Sequence, residues 1–442
     1  MALRASPLSD HVAVAAERAI VDWFGVALGG SLAPAPRALV SGLGPVSGPS
    51  RLMGSGQGAP PTVAALINGT AAHALELDDI YAPGLFHPGA PVIAAALAIA
   101  DQAGAPGETL LRAVVTGYEV GCRVAADLGP SHYARWHTTG TAGSLGAAAA
   151  AAEILGADED AFANALALAA TMASGLQQTF RSDAMGKPLH AGNAAQSGVI
   201  AAISAMGGIT GALDALEGEA GLGTATGSAS RWEHSRETPG PGLAITAVTL
   251  KPYPCCGHAF AVIDAVLRLR DNGLTARGVA RLDVHTYRTA LTVAGIESPR
   301  TVAERRFSIP YLAAVTLLDG DLTDRGIGSD RDASELSKVA GAVHMFVDRV
   351  YEERFPGRRG ARVTALTQAG RTMTAEVPDR SGSPENPLSR AQVDRKFLAT
   401  SAAVLGDGAP DLLRQVKNLR SAGSVRELIV TGRGTAPDRL TL

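Results

Sequence analysis

Between residues 8 and 245 the chain alternates segments rich in Ala, Leu and Val with breaks at Gly and Pro. Several of these segments are apolar nearly all the way round a helix, and a helix without a polar face is stable only when other helices surround it. The pattern therefore predicts a large all-α domain in which small side chains let buried helices pack closely. The segments include Leu110–Leu128, Ser144–Leu155, Ala161–Ala173 and Ala191–Met206.

The chain has 442 residues, which is too many for one ordinary hydrophobic core, so two domains are expected. Its character changes near residue 240, where Pro239-Gly240-Pro241 has the composition of a link between domains. Residues 1–245 are predicted to form the all-α domain, which the helices of residues 388–442 complete. Residues 246–387 are predicted to form a smaller α+β domain that interrupts it. The predicted fold class is mostly α with this smaller α+β domain.

The prediction of an α+β domain depends on how strand-like and helical segments alternate after residue 240. A turn-rich segment, residues 379–387, then precedes a further predicted helix over residues 389–404, which we expect to return to the first domain. Strands are predicted at Ala244–Leu250, Arg281–Tyr287 and Arg362–Leu366, and helices at Tyr311–Leu318 and Asp332–Asp348.

Composition excludes several classes of function. Charged residues make up 18% of the chain, the formal net charge is −3, and the Lys and Arg residues form no cluster suited to nucleic acid. The first thirty residues include Asp10, Glu17 and Asp22, which predicts an amphipathic helix and not a signal peptide. The longest apolar runs, such as Val92–Ala100, are too short to span a bilayer. We therefore expect a cytoplasmic protein that binds neither nucleic acid nor membrane.

Cysteine content and glycine spacing argue against a bound cofactor. Cys255 and Cys256 are adjacent and Cys122 stands alone, so neither a disulfide framework nor an iron–sulfur cluster with three converging thiolates is expected. The histidines show no spacing typical of metal ligands. Gly221–Gly227 looks like a phosphate loop, but its glycine spacing differs from the dinucleotide fingerprint. We expect a flexible loop there, and no metal and no cofactor.

Acid and base groups concentrate in residues 68–92, which are otherwise mostly Ala, Leu, Gly and Pro. If the segment is helical, His73 and Glu76 share one face and Asp79 lies near its edge. A Pro-Gly break then leads to His87 in a loop. Burying such groups along an apolar helix is costly, and a functional site is a good reason for the cost. The alternative is a helix end with solvated aspartates and a satisfied core histidine.

Similar small clusters recur in order further along the chain, at Trp136–Gly140, Gly186–Gly192, Lys251–His258 and Ser308–Tyr311. Together with residues 68–92 they resemble the MmgE/PrpD family, and the match is collinear as far as residues 396–397. That family includes 2-methylcitrate dehydratase, cis-aconitate decarboxylase and iminodisuccinate epimerase. The resemblance implies the same two-domain architecture, with the smaller domain acting as a lid.

The resemblance and the local setting together suggest roles for several residues. His137 matches the family's active-site histidine, and a neutral imidazole is able to remove a proton α to a carboxylate. Lys187, just before an Ala-rich helix, and Lys251, in the smaller domain, are expected to clamp substrate carboxylates. Arg181 and Arg306 are weaker candidates for the same work.

Two further histidines are predicted to have no catalytic role. His190 is expected to cap a helix or to pack in the core. His132 lacks the flanking pattern of His137 and is expected to lie on the surface.

The cluster in the smaller domain departs from the family pattern. Cys256 stands where cis-aconitate decarboxylase has an active-site histidine, and Phe260 stands where a further family histidine is expected. His258 lies between them and is able to replace either, which leaves the acid or base of this domain open and disfavours decarboxylation. Glu76 keeps the family's carboxylate with one more methylene, and Ile80 replaces a Thr.

These assignments predict a cofactor-independent lyase or isomerase that acts on a small di- or tricarboxylic acid. Either His137 or His258 removes the proton α to a carboxylate, which leads to epimerisation or dehydration. His87, Tyr311 or Glu76 serves as the conjugate acid.

The substrate-binding set is Lys187, Lys251, Asp79, Cys256 and Arg181. The alternatives are a cis-aconitate-type decarboxylase and a non-catalytic, carboxylate-binding scaffold. A homodimer is expected, because the helices of the first domain are more apolar than a monomer surface allows and because the family that the chain resembles dimerises.

Overall fold

The computed structural model describes residues 7–182, 184–228, 232–237, 242–328, 333–428 and 430. The chain divides into two compact units, the first formed by Met1–Leu250 with Ser389–Leu442 and the second by Lys251–Leu388. The first is helical apart from a two-stranded ribbon, and the second carries a four-stranded sheet. The predicted fold class, mostly α with a smaller α+β part, is confirmed.

The first unit is a bundle of packed helices with one short antiparallel ribbon, β1 (Ser50–Arg51) and β2 (Gly58–Ala59). The helix Gly107–Tyr133 is broken at Gly129, which has a φ of 66°, just before Pro130. The helices are α1 (Asp10–Gly30), α2 (Pro34–Leu43), α3 (Pro61–His73), α4 (Gly89–Ala103), α5 (Gly107–Tyr133), α6 (Thr138–Ile154), α7 (Glu159–Thr171), α8 (Gly186–Met206), α9 (Leu222–Ala225), α10 (Glu233–Arg236), α18 (Arg390–Leu405) and α19 (Ala409–Lys417).

Small residues allow the central helices of this unit to approach one another closely. Helix α6 packs against α5 and α8, and α8 also packs against α3. A Cβ atom added at Gly198 of α8 would lie 2.4 Å from the Ala147 Cβ, and one added at Gly192 would lie 2.2 Å from the Leu66 carbonyl oxygen. Neither position therefore accepts a larger residue without a shift of the backbone. The close packing brings the ends of α3, α6 and α8 near one another.

Two helix boundaries differ from the predictions, and both lie where the acid and base groups are. Helix α3 ends at His73, and Glu76 follows in a turn with a φ of 58°, so His73, Glu76 and Asp79 do not share a helix face. Helix α8 begins at Gly186 and not at Ala191, which puts Lys187 in its first turn.

The second unit is a four-stranded sheet covered by helices. Its strands are β3 (Val279–Thr286), β4 (Val343–Val347), β5 (Ala361–Thr367) and β6 (Thr372–Val377), in the order β4-β3-β5-β6. β3 is parallel to β4 and antiparallel to β5, and β5 and β6 form an antiparallel pair. The helices are α11 (Phe260–Asp271), α12 (Arg288–Ala294), α13 (Val302–Arg305), α14 (Ile309–Asp319), α15 (Asp324–Gly328), α16 (Ala333–Gly341) and α17 (Arg349–Arg354).

One face of this sheet forms the core of the second unit. Burial alternates along β5 and β6, as expected of strands with one covered face, and α11 packs on both of them. Helix α14 packs in turn against α11. Strands β3 and β5 and helix α14 confirm the sequence predictions for those segments.

Other secondary-structure predictions were wrong. Residues 244–247 form a 3₁₀ helix instead of a strand, and only Thr249 makes a β-bridge, with Ile80. The helix expected at Asp332–Asp348 stops at Gly341, and the β-prone residues that follow form β4 beside β3.

Three smaller expectations complete the comparison. The loop expected at Gly221–Gly227 contains the helical turn α9. The link Pro239-Gly240-Pro241 lies outside the described residues. Among the helices that the structure describes, none has both the length and the hydropathy needed to cross a bilayer.

Candidate active site

Four helix ends of the first unit bring a group of titratable side chains together. His73 is the last residue of α3, and His87 lies two residues before the first residue of α4. His137 is the N-cap residue of α6, and Lys187 and His190 lie in the first turns of α8. We call these five residues, with Glu76 and Asp78 of the turn after α3, the histidine cluster.

A buried carboxylate joins two of the histidines. Asp78 Oδ2 lies 2.6 Å from His73 Nδ1 and 3.2 Å from His87 Nδ1. The two imidazole rings meet edge to face with centroids 4.9 Å apart. The backbone N–H of His87 donates to the Thr139 hydroxyl at 3.2 Å, which ties this loop to the first turn of α6. Asp78 and both rings are buried, so the solvated aspartate of the alternative interpretation is wrong here.

His137 lies against three aromatic rings. Its ring stacks on His73 at a centroid distance of 5.5 Å and meets Phe180 edge to face at 4.9 Å. Its Nδ1 lies 3.2 Å from the Nδ1 of His190, so one of these two atoms donates and the other accepts. The backbone N–H of His137 donates to the Gly175 carbonyl at 2.8 Å. These contacts fix the imidazole before the first turn of α6.

The pKa of His137 lies well below its usual value near 6.5. Burial is the largest cause, because transfer out of water penalises the charged ring. The positive charges of His73, Lys187, His87 and His190 lower the pKa further. His137 is therefore neutral at pH 7, which is the form that accepts a proton.

Lys187 and Glu76 form an ion pair at the edge of the cluster. The ammonium group contacts the Glu76 carboxylate and lies 5.7 Å from the centre of the Phe180 ring. Both side chains are about one-fifth exposed, so each remains accessible to solvent. A ligand carboxylate that bound Lys187 would share its charge with Glu76 or displace it.

Asp79 supports the loop that carries His87. Its Oδ1 accepts the backbone N–H of Gly89 at 2.9 Å and its Oδ2 accepts the Tyr118 hydroxyl at 2.8 Å. A Cβ atom added at Gly89 would lie 2.8 Å from Asp79 Oδ1, so a glycine is needed at this close approach. Burial raises the pKa of Asp79 to about 7. Both oxygens bond to the protein itself, which favours a structural role over the predicted contact with substrate.

Lys396, on α18, anchors the turn that carries Glu76 and Asp78. Its ammonium group donates to the Leu77 carbonyl at 2.7 Å and lies 2.6 Å from Asp22 Oδ1. Asp22 is buried, and burial raises its pKa. The turn is therefore anchored by a hydrogen bond from a residue that lies far away in the sequence.

His258, in the second unit, has different neighbours. Its Nδ1 lies 2.8 Å from the Tyr287 hydroxyl. Burial lowers its pKa to about 3, and the positive charges of Arg359 and Arg380 add to the effect. Phe260, which stands where a family histidine is expected, is fully buried in the core of this unit.

The other predicted site residues of the second unit are held by its own backbone. The Tyr311 hydroxyl donates to the Ile327 carbonyl at 3.0 Å, and the Cys256 N–H donates to the Arg306 carbonyl at 2.9 Å. Lys251 is buried. The Tyr311 bond is that of a buried core tyrosine whose hydroxyl already has a protein acceptor.

Two predicted residues lie outside the cluster. Arg181 ends a 3₁₀ helix and is exposed. His132 is fully buried between the hydroxyls of Thr226 and Thr141, each 2.8 Å from a ring nitrogen, so its predicted surface position was wrong. Burial lowers the pKa of His132 to about 4.

Among the described residues, the group His73, Asp78 and His87 has the composition of a metal site, which the sequence analysis did not anticipate. One ligand atom from each lies within 4.8 Å of the other two. Tetrahedral zinc with bonds of about 2.0–2.1 Å separates its ligand atoms by about 3.3 Å. The 2.6 Å between His73 Nδ1 and Asp78 Oδ2 is shorter than that and is a hydrogen-bond distance. The present geometry is that of a carboxylate hydrogen-bonded to His73, with the ring of His87 3.2 Å from the same oxygen.

Sequence reasoning missed three members of the cluster: His73, Asp78 and His190. His73 was grouped with Glu76 and Asp79 as an acid or base group of a helix face but was given no role, Asp78 was given none either, and His190 was expected to cap a helix or to pack in the core. A signal was present, because the Pro-Gly break after Tyr81 and the acid-rich segment before it are typical of a helix that has already ended. The pairing itself depends on helices that only the fold brings together.

Comparison with known proteins gives a consistent match. The model of the MmgE/PrpD N-terminal domain matches residues 1–235, and that of the MmgE/PrpD C-terminal domain matches residues 253–419. The chain is 28% identical over 416 residues to cis-aconitate decarboxylase of Homo sapiens, covering 86% of this chain and 80% of that protein.

Two further relatives carry the same name. The cis-aconitate decarboxylase of Mus musculus is 28% identical over 395 residues, which covers 81% of this chain and 76% of that protein. That of Aspergillus terreus is 27% identical over 295 residues, which covers 62% of this chain and 60% of that protein.

Proposed function

The chain belongs to the MmgE/PrpD family, and we propose that it is a cofactor-independent lyase or isomerase that moves the proton α to a carboxylate of a small di- or tricarboxylic acid. The observation that carries this proposal is the histidine cluster. It places a neutral histidine, a histidine paired with a carboxylate, and a lysine on neighbouring helix ends of one unit. Groups whose surroundings push their pKa values apart are the usual basis for assigning an acid and a base.

His137 is the base in this proposal. Its depressed pKa keeps the imidazole neutral at pH 7, and its ring is held by His73, Phe180 and His190. The proton lost from the α-carbon moves to a ring nitrogen of His137, and the electron pair moves into the adjacent carboxylate, which becomes an aci-carboxylate.

Lys187 binds the carboxylate on which that charge develops. It lies in the first turn of α8, where backbone N–H groups also favour anions. Glu76 contacts Lys187 in the structure and keeps the ammonium group oriented until substrate arrives. The charge of Lys187 then stabilises the dianion more than the substrate, which is what accelerates the reaction.

His87 is the acid in this proposal, because Asp78 lies beside its ring and favours the protonated form. Return of a proton to the opposite face of the α-carbon gives epimerisation. Protonation of a β-hydroxyl, which then leaves as water, gives dehydration. Both outcomes begin with the same aci-carboxylate, so the substrate decides between them.

Decarboxylation is the second candidate, and the names of the relatives favour it. In that reaction the C–C bond to a carboxylate breaks, carbon dioxide leaves, and the acid delivers a proton to carbon. The replacement of family histidines by Cys256 and Phe260 weighs against it. The roles predicted for Lys251, His258 and Tyr311 in the second unit stay predictions.

Incubation with a panel of di- and tricarboxylic acids in D₂O tests the proposal. We expect deuterium to enter the α-position of at least one acid, by NMR, even where net turnover is slow. Formation of an alkene with water, or of carbon dioxide, in the same samples assigns the reaction. If no acid in the panel exchanges a proton or forms product, while calorimetry detects carboxylate binding, the scaffold alternative replaces the enzyme.

We further propose that the protein is a homodimer. Helix α8 and the segment after it expose Ile203, Met206 and Ile209, a stripe of large apolar side chains. A stripe of this kind on a monomer surface usually marks an interface. Light scattering at micromolar concentration is expected to give the mass of a dimer, and Ile203→Glu to give a monomer. Phe346→Glu, at an exposed residue of the second unit, is the matched control and is expected to remain a dimer.

A further inference from the structure

His137 and His190 share a hydrogen bond but differ in their exposure to solvent. Nδ1 of His137 lies 3.2 Å from Nδ1 of His190, which is within hydrogen-bond range. Only 1% of His137 is exposed, whereas His190 is partly exposed. The rings of His73 and Phe180 contact His137 by stacking and by an edge, not by a hydrogen bond. Among the side chains that the structure describes, His190 is therefore the hydrogen-bond partner of the His137 ring, and it lies nearer to solvent.

The loop residue Gly175 holds both histidines in place. Its carbonyl accepts the backbone N–H of His137 at 2.8 Å, and a Cβ atom added to it would lie 3.2 Å from His190 Cγ, so the His190 ring packs directly on it. One helical turn after His190, the Asn193 amide donates to the Ser174 hydroxyl at 2.9 Å, which ties α8 to the same loop. The fold thus sets the separation of the two rings from both sides.

The two Nδ1 atoms share one hydrogen when both rings are neutral. Burial lowers the pKa of His137 well below its usual value, and burial, with His73 and Lys187, also lowers the pKa of His190. If the shared hydrogen belongs to His137, Nε2 of His137 has a lone pair and is able to accept a proton. If it belongs to His190, Nε2 of His137 carries a hydrogen and is not. The base role proposed for His137 requires the first pattern.

We propose that His190 is a positioning residue of His137, which accepts the Nδ1 hydrogen of His137 and passes the proton taken from substrate on to water. A partly exposed ring carries a positive charge at lower cost than a buried one, so the transfer from His137 to His190 is favourable. Histidine suits this work because it exchanges protons near neutral pH. The inference rests on the proposed function for the identity of the reaction, whereas the hydrogen bond between the rings does not depend on it.

The proton transfer balances without any further reactant. His137 takes the α-proton on Nε2 and becomes an imidazolium, and its Nδ1 hydrogen then moves to Nδ1 of His190. His190 releases the hydrogen of its own Nε2 to water, so one proton leaves for each proton that enters. Exchange with water before the next substrate binds restores the starting pair of tautomers.

The first test is spectroscopic and needs no substrate. Selective ¹⁵N labelling of histidine, with His137→Gln to assign the signal, reports which nitrogen of His137 carries the hydrogen. We expect Nδ1 in the wild type. His190→Asn places an amide oxygen near the former Nδ1 and is expected to keep this tautomer, whereas His190→Ala removes the acceptor and is expected to shift the hydrogen toward Nε2. A wild-type hydrogen on Nε2, or a tautomer that His190→Ala leaves unchanged, would overturn the proposal.

The second test is kinetic and uses an acid identified by proton exchange in D₂O. Both His190→Asn and His190→Ala remove the group that passes the proton, so each is expected to lower kcat by about tenfold or more with little change in KM. If His190→Asn keeps the wild-type kcat, no proton passes through His190 and the proposal is wrong.

Imidazole added to the assay separates proton transfer from a loss of structure. His190→Ala leaves a space at a partly exposed position, where free imidazole is able to bind and to carry the proton. We expect imidazole to restore most of kcat in His190→Ala, with saturation, but not in His190→Asn, whose amide fills the space. A lowered kcat that imidazole does not restore in His190→Ala would mean that His190 only packs against its neighbours, contrary to the proposal.

His285→Ala is the matched control. His285 is a partly exposed histidine of the second unit, with Nδ1 3.9 Å from Asp348 Oδ2. This variant is expected to keep kcat and the tautomer of His137, with no response to imidazole. If the tautomer responds to His190→Ala but no acid exchanges a proton, the positioning of His137 stands and the proton-transfer step fails together with the proposed function. If an acid exchanges its proton but neither His190 variant changes the tautomer or kcat, the inference fails and the proposed function stands.

Discussion

His137 in the first unit is buried and His258 in the second is partly buried, and the pKa of each lies below the usual range, but their neighbours differ. Around His137 the cluster also contains Asp78, which is hydrogen-bonded to His73 and lies 3.2 Å from His87 Nδ1, and Glu76, which is paired with a lysine. Around His258 the charged neighbours are Arg359 and Arg380. Both histidines are therefore neutral at pH 7, but among the residues that the structure describes only His137 belongs to a group that also holds carboxylates.

The difference shows that burial alone does not create an acid–base pair. Desolvation makes a histidine neutral wherever it occurs, whereas a second group of opposite preference is needed to return the proton. In the second unit Arg380 is itself buried, and burial lowers its pKa to about 10 while it keeps its charge at pH 7. Two guanidinium groups beside a neutral histidine and Tyr287 suit the binding of an anion better than proton transfer.

The largest expected effect concerns the two histidines themselves. His137→Ala is expected to lower kcat by about 10²–10⁴-fold with little change in substrate affinity, because it removes the base. His258→Ala is expected to lower kcat by less than about tenfold, because its described neighbours are a tyrosine hydroxyl and two guanidinium groups and include no carboxylate. Steady-state kinetics and the rate of α-proton exchange measure both. If His137→Ala exchanges the proton at the wild-type rate, the assignment reverses and His258 becomes the leading base.

The next effect separates binding from proton transfer within the first unit. Lys187→Ala is expected to weaken substrate affinity by about 1.5–3 kcal/mol, because it removes a charge-assisted bond to a carboxylate. Calorimetric titration with the substrate or a slow analogue measures this. Lys417→Ala breaks a more exposed ion pair of the same unit, with Asp394, and is the control. An equal, small effect of both substitutions would show that Lys187 is an ordinary surface lysine.

A third histidine, His132, allows the effect of burial alone to be measured through the pH dependence of stability. His132 is neutral because of burial alone, with Thr226 and Thr141 as its partners, and its pKa is about 4. In the unfolded chain His132 binds a proton near pH 6.5. Its contribution to the free energy of unfolding is therefore fully present above that pH and is lost as the pH drops toward 4. The expected loss is about 1.4 kcal/mol per pH unit for each such histidine.

Chemical denaturation between pH 7 and pH 4.5 measures this slope. His132→Gln is expected to be less stable at pH 7, because it disturbs two hydrogen bonds, but to lose less stability on acidification. The slope should become shallower by about 1.4 kcal/mol per pH unit. An unchanged slope would mean that His132 is protonated in the folded protein.

The smallest expected effect is that of chelation. Dialysis against EDTA is expected to leave turnover unchanged, because Asp78 Oδ2 lies only 2.6 Å from His73 Nδ1, which is a hydrogen-bond distance and too short for two ligands of one zinc ion. Activity measured before dialysis, after dialysis and after addition of a divalent ion is the readout. If activity is lost on dialysis and a divalent ion restores it, His73, Asp78 and His87 are metal ligands. The first unit would then differ from the second by a metal site and not by an acid–base group.

The helices of the first unit could be predicted because their signal is local. Ser144–Leu155 is apolar nearly all round, and all of it except Leu155 is found in α6, which is fully buried over residues 138–152. The turn after His73 could not be predicted, because the positive φ of Glu76 has no local cause in the sequence. Strand β4 was missed for a similar reason. Whether its residues form a strand depends on their pairing with β3, which a local pattern does not contain.

The candidate site shows the same limit. Lys187, His87, Glu76 and His137 were selected from the sequence, and the structure brings them together in one unit. Their protonation states depend on burial and on partners from other helices, which a linear pattern does not contain. For that reason Asp78 was not selected from the sequence, because its place in the cluster depends on contacts with residues of other segments.

The bond between Lys396 and the Leu77 carbonyl has a consequence for the timing of biosynthesis. The two residues are 319 positions apart in the chain. At about 5–20 residues per second, a ribosome needs about 16–64 s to travel between them. During that interval it makes the whole of the second unit, so the turn with Glu76 and Asp78 gains its anchor only after that unit has been synthesised. Nascent chains that stop before α18 therefore contain the residues of the histidine cluster without the contact that secures their turn.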